Sequence, residues 1–313
     1  MPIDEPTPSV ADVNLPRRSS PMRMPYLRHV MLALSMLLAA GPARARAAED
    51  LALKSTAVLV VDQETGESLI SKNADVVMPI ASLTKLMTAM VVIGAQLPMD
   101  EVLEIDNDDV DREKHTASRL AVGTRLSRAN LLLLALMASE NRAAMALSRG
   151  YPGGRTAFIA RMNETARSLG MNSTRFADPA GLSSQTVSTA RDLLRLVSAA
   201  DTQDLIRRDS TQAEGTVLVR GRPLTFVNTN RMVRYPRDWD IGLQKTGFTN
   251  EAGRCLVMRA TTLNRKLSMV FLNSIGTMTR FADATRVRRR LELQASGRPL
   301  RSAEAATATA VLP

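Results

Sequence analysis

The spacing of apolar positions changes twice along this chain, and each change marks a different kind of element. After an early apolar run, "TAVLVVDQETGESLISKN" reads as a strand, a turn at Glu64-Thr65-Gly66 and a second strand. From about Ser82 the spacing becomes helical, with Ile80, Leu83, Leu86, Met87 and Val91 placed to bury the segment. "EVLEID" reads as a short strand. With Ser127 as N-cap, "RANLLLLALMA" is apolar nearly all round, which predicts a buried helix. That helix halts at "SEN" and a shorter one, "RAAMALSRG", ends at Gly150. "TAFIARMNETARSLG" is amphipathic and also stops at a glycine. "FADPAGLSSQTVST" reads as a structured loop, and Thr189 and Asp192 have capping-box spacing for "ARDLLRLVSAA".

From Gly215 the period is two. "TVLVRGRPLTFVNTN" predicts a hairpin, "WDIGLQKTGFT" a strand, and "RCLVMRATTLNRKLSMVFLN" two strands turning at Leu263-Asn264-Arg265. A basic helix follows from about Thr279 to Leu293. The final stretch, residues 294–313, is a low-complexity tail. These elements predict an α+β protein whose sheet is built from both ends of the chain, with a helical section inserted at about 83–205. No internal repeat is present. A site is expected in the cleft between sheet and helices.

Composition adds an expected address. Arg23, Arg28 and His29 precede the apolar run Val30 to Ala40, and small residues follow at Ala43-Arg44-Ala45 and Ala45-Arg46-Ala47. This is the pattern of a cleaved Sec-type signal peptide over residues 1–47, with Met22 or Met24 as alternative starts. Eleven apolar residues fall short of the roughly 20 that span a bilayer. The expected compartment is therefore the periplasm. The chain carries +10, of which the segment 48–313 keeps +7. A basic exported protein suits an anionic polymer, with peripheral wall or membrane association as a further option. No aromatic-basic motif points to nucleic acid. The single cysteine, Cys255, forms no intramolecular disulfide and reads as a small buried hydrophobe. The 17 methionines are core filler rather than a cofactor box.

Three polar spots interrupt the apolar pattern. Ser82 and Lys85 are three apart, one helical turn from each other. Alone such a pair is common, and a helical Lys usually snorkels to water. Here the apolar flanks leave Lys85 few routes to solvent, and a desolvated amine loses its proton more easily. To act as a base its pKa must fall from about 10.4 to near 7, which would make Ser82 an activated nucleophile. Ser139 and Asn141 break the second helical run. By themselves they would mark a helix end. Lys245-Thr246-Gly247 lies in a strand, and alone could be an edge strand with a protective Lys.

In order and context the three are the set used by penicillin-binding proteins and serine β-lactamases. "KNADVVMPIASLTKLMTAMVV", "DPAGLSSQTVSTARDL" and "NTNRMV…DIGLQKTGFTNEAGRCLV" resemble the low-molecular-mass penicillin-binding proteins, and within these most the D-alanyl-D-alanine endopeptidase branch. The resemblance covers roughly Leu51 to Leu293. It implies the penicilloyl-serine-transferase fold, an antiparallel sheet flanked by helices plus a mostly helical subdomain.

It also implies roles. Ser82 is the nucleophile and Lys85 its base. Ser139 relays a proton to the leaving amine, and Asn141 fixes Lys85 and holds the substrate amide. Lys245 depresses Lys85 and attracts a carboxylate, Thr246 offers that group a hydroxyl, and Gly247 admits a substrate strand. The backbone N–H groups of Ser82 and Phe248 form the oxyanion hole. No metal or cofactor is implied, and His29 and His115 are poorly placed for one. The implied substrates are peptidoglycan stem peptides and crosslinks, with β-lactams as covalent inhibitors. A chain ending soon after Leu293 fits the endopeptidase branch better than carboxypeptidases with an added β-domain. The alternatives are a DD-carboxypeptidase and a non-catalytic wall-binding or β-lactam-sensing module. A class A β-lactamase would need a Glu-x-x-Leu-Asn pattern, which is missing between Ser139 and Lys245.

Overall fold

The computed structural model describes residues 51–296; the expected signal segment and the tail from residue 297 lie outside the described residues. Five antiparallel strands form the main sheet. In chain order they are β1 (Ser55–Asp62), β2 (Ser68–Lys72), β3 (Asp240–Thr249), β4 (Gly253–Thr262) and β5 (Arg265–Ser274). Their spatial order is β2-β1-β5-β4-β3, so strands from both ends of the chain meet at the β1–β5 pair. In β1, Val58 and Val60 enter one apolar cluster with Leu256, Met258, Met269 and Phe271, while Ala57 and Leu59 enter another with Val257, Val270 and Leu272. Strands covered on both faces read as near-continuous apolar runs, which is why "TAVLVV" and "LSMVFL" lack polar alternation.

Helices come from the middle and the end of the chain: α1 (Lys85–Gly94), α2 (Arg128–Met137), α3 (Asn141–Arg149), α4 (Gly154–Ser168), α5 (Ala190–Ala200), α6 (Asp204–Thr211), α7 (Arg231–Arg234) and α8 (Thr279–Ala295). The first six pack with the Ala57/Leu59 face, and α8 covers the other face through Phe281, Ala284, Val287 and Leu291. Helix α8 runs two residues beyond the expected Leu293. The hairpin Glu214–Val219/Arg222–Val227 forms a separate two-stranded sheet.

Two expectations change. The helix expected from Ser82 starts at Lys85, and Ser82 sits in a 3₁₀ turn, Ala81–Thr84. Ala81 has φ +48°, and this left-handed residue breaks the helical path just before the serine. The capping box at Thr189 forms by half: Thr189 Oγ1 accepts from the Asp192 N–H at 3.0 Å. The Asp192 carboxylate instead accepts from Ser173 N and Thr174 Oγ1, tying a distant loop to α5. Helix α6 escapes the periodicity because it is only eight residues long, lacks a side-chain N-cap bond and buries a single apolar side chain, Ile206.

Candidate active site

The 3₁₀ turn lies against β3 and brings Ser82 to the Lys245-Thr246-Gly247 segment. A Cβ on Gly247 would stand 3.0 Å from Ile80 O and 3.1 Å from Ser82 N. A side chain there would crowd the turn by a few tenths of an ångström, so the glycine lets the turn seat closely on the strand, a second reason beside access for a substrate. Gly181 holds the turn from the other side: at φ +78°, its Cβ would lie 1.9 Å from Ala81 O.

Lys85 is completely buried at the head of α1. Its Nζ lies 2.9 Å from Ser82 Oγ, 2.7 Å from Asn141 Oδ1 and 2.8 Å from Ala180 O. The last two are acceptors only. A neutral amine has two N–H donors and one lone pair, so both donors are used and the lone pair faces the serine hydroxyl. Burial lowers the Lys85 pKa to about 7, against the opposing pull of Asp178, Glu140 and Asp111. Asn141 opens α3, and its Nδ2 donates to Thr116 Oγ1 at 2.8 Å, fixing Oδ1 toward Lys85. Thr116 Oγ1 in turn donates to Asp111 Oδ2 at 2.6 Å.

Ser139 has φ +59°, a left-handed conformation in the break between α2 and α3. Its Oγ accepts from Lys245 Nζ at 2.9 Å, and the same amine donates to Thr246 O at 2.8 Å. Strand β3 is an edge strand, but Lys245 is wholly buried and so is no protective surface charge. The Lys245 pKa is driven well below its ordinary value by burial, then by the positive charges of Lys85 and Arg280. Burial thus leads the shift at both amines, as the apolar flanks of Lys85 predict, and repulsion between Lys85 and Lys245 adds to it at Lys245.

Thr246 Oγ1 lies 2.6 Å from Thr229 Oγ1. On β3 the Gln244 N–H donates to Ser210 Oγ on the side away from β4. Backbone groups alternate sides along a strand, so the Phe248 N–H also faces the open edge, toward the turn that carries Ser82 N. The Phe248 ring is half exposed beneath the Arg254 guanidinium, 4.3 Å from its centroid.

Sequence reading missed three contributors. Ala180 supplies the carbonyl for Lys85, and Asp178 shapes its loop by accepting from the N–H groups of Ala180, Gly181, Leu182 and Ser183. Arg280, in the first turn of α8, is buried, finds no carboxylate among the described residues and has an unpartnered Nε. Only the "DPAG" string hinted at the first two. Nothing local marks Arg280 among so many arginines.

Set beside known proteins, the chain matches the family model described as D-alanyl-D-alanine carboxypeptidase over residues 44–276. It belongs to that family of serine peptidases and is a hydrolase. Among curated proteins it is 49% identical to a D-alanyl-D-alanine endopeptidase of Pseudomonas aeruginosa, covering 87% of this chain and 89% of that one. It is 44% identical to the D-alanyl-D-alanine endopeptidase of Escherichia coli, covering 86% and 90%. Its fold matches a Streptomyces DD-transpeptidase at TM-score 0.69 and 29% identity, covering 75% of this chain and 95% of the other. An ampicillin-bound penicillin-binding protein from Listeria monocytogenes matches at TM-score 0.63 and 32% identity, covering 75% and 95%. The fold is the penicilloyl-serine-transferase fold.

Proposed function

We propose that this protein is a periplasmic DD-endopeptidase that cuts D-alanyl crosslinks in peptidoglycan through an acyl-enzyme on Ser82. The observation that carries the reading is the buried Lys85 amine, whose two donors are taken and whose lone pair faces Ser82 Oγ at 2.9 Å. Ser82 attacks the D-alanyl carbonyl as its proton passes to neutral Lys85, a base contribution of about 10²–10⁴ in rate. The developing oxyanion is held by the N–H groups of Ser82 and Phe248. Asn141 holds the substrate amide. Ser139, hydrogen-bonded to Lys245, relays a proton to the leaving amine. The carboxylate beside that amine pairs with Lys245, Thr246 and the unpaired Arg280. Its negative charge restores the Lys245 ammonium that burial disfavours in the free site. Water then releases the acyl group.

The preference for crosslinks is supported by the two relatives named endopeptidase, and the export pattern of residues 1–47 supports the periplasm. A DD-carboxypeptidase is the second reading, favoured by the description of the family model. β-Lactams are expected to acylate Ser82. Digestion of purified wall followed by mass spectrometry of the muropeptides separates the readings. Crosslinked dimers disappear if the protein is an endopeptidase; pentapeptides alone are lost if it is a carboxypeptidase. Ser82→Ala should abolish both products and the attachment of labelled penicillin. Crosslink cleavage that survives in Ser82→Ala would sink the mechanism.

A further inference from the structure

A cavity of about 550 Å³ lies between α7 and the first turns of α8, its walls including Arg231, Tyr235, Arg237, Met278, Phe281 and Thr285. Both walls continue from the carboxylate end of the site. One begins at Thr229, bonded to Thr246 and two residues before α7. The other carries Arg280, whose charge acts on Lys245, between Met278 and Phe281. If Lys245 and Thr246 take the carboxylate beside the leaving nitrogen, the groove adjoins the end of the site that receives the leaving group.

Its chemistry is cationic and amphipathic. Arg231, Arg234 and Arg237 are exposed and have no carboxylate partner among the described residues. Nearby Arg286 and Arg288, by contrast, are paired with Asp283, Asp238 and Glu292. The Arg234 guanidinium lies 5.5 Å from the Tyr235 ring centroid, and Arg231 Nη1 reaches across the groove to 3.6 Å from Met278 Sδ. Tyr235 is 62% exposed and Met278 41%. A released alanine needs no such surface. A second stem peptide, bulky and bearing its own carboxylates, matches it in size, charge and apolar stem.

We infer that the groove between α7 and α8 binds the carboxylate-bearing stem peptide that leaves when a crosslink is cut, with Arg231 and Arg237 pairing its carboxylates. This rests on the endopeptidase reading and gives it a physical basis: binding energy from the leaving stem favours crosslinks over pentapeptides. The test uses the full protein with two substrates, purified crosslinked muropeptide dimers and a soluble pentapeptide. Arg231→Ala/Arg237→Ala should slow dimer cleavage about tenfold, the loss of two partly exposed ion pairs. Pentapeptide trimming and labelled-penicillin acylation should stay within about twofold, and Arg231→Lys/Arg237→Lys should recover most of the dimer rate. Dimer cleavage should also fall more steeply with added salt than pentapeptide trimming. If the double alanine variant cuts dimers as fast as the parent, or loses both substrates equally, the groove assignment is overturned while the endopeptidase reading stands. A parent protein that trims pentapeptides and leaves dimers whole would overturn both.

Discussion

Lys85 is the side chain on which the chemistry turns, and its pH behaviour follows from its surroundings. Its pKa is lowered to about 7 by burial, so below that pH the amine is protonated and cannot accept the Ser82 proton. Acylation by labelled penicillin should therefore rise with pH through about 7 and level off above it, as stopped-flow measurements across pH would record. Glu140 opposes the shift, since its negative charge favours the ammonium. Glu140→Gln removes that charge but keeps an oxygen for the Ser118 hydroxyl and the Arg142 N–H. The acidic limb should then move to lower pH with the plateau rate little changed; an unmoved limb would mean Glu140 only caps α3. Ser82 and Lys85 were legible in the sequence because three residues of separation already bring them together. The Ala180 carbonyl was not, because it arrives from 95 residues away.

Among the elements, the 3₁₀ turn is the most constrained, clamped by Gly181 on one side and Gly247 on the other. Gly181→Ala would place a Cβ 1.9 Å from a backbone oxygen at φ +78°. Urea unfolding should show a loss above about 3 kcal/mol, with slowed penicillin acylation in whatever stays folded. At α5, Thr189→Ala removes only the acceptor for Asp192 N–H and should cost about 1 kcal/mol by the same assay, with acylation kinetics intact. The long apolar helices and the strands were readable because their burial pattern is periodic. Helix α6 and the turn at Ala81 were not. The first is held by neighbours rather than by its own pattern, and the second by a backbone angle that alanine seldom adopts.

Across the molecule, β1 and β5 join the two ends of the chain, and Asp283 of α8 fastens the joint. Its fully buried carboxylate accepts from Lys54 N, Ser55 N and Ser55 Oγ, and pairs with Arg286. Asp283→Ala leaves buried backbone donors unpaired, and about 3 kcal/mol should be lost from the global unfolding free energy. Because β1 is interior to the sheet, that loss should fall on one cooperative transition seen equally by circular dichroism and by Trp239 fluorescence. Two non-coincident transitions would show that the sheet and its N-terminal strand unfold separately.

The long helices and the strands could be read from the chain because their periodicity is local. So could Ser82 with Lys85, Ser139 with Asn141, and Lys245 with Thr246 and Gly247, because the members of each motif stand within a few residues of one another. The state of those groups could not. Lys85 is neutral enough to act because packing from distant segments strips its water, and Lys245 meets Ser139 across 106 residues. Arg280 and the cationic groove likewise come to the site from separate segments. Desolvation and electrostatic fields depend on distances through space, and these exist only once the chain has folded.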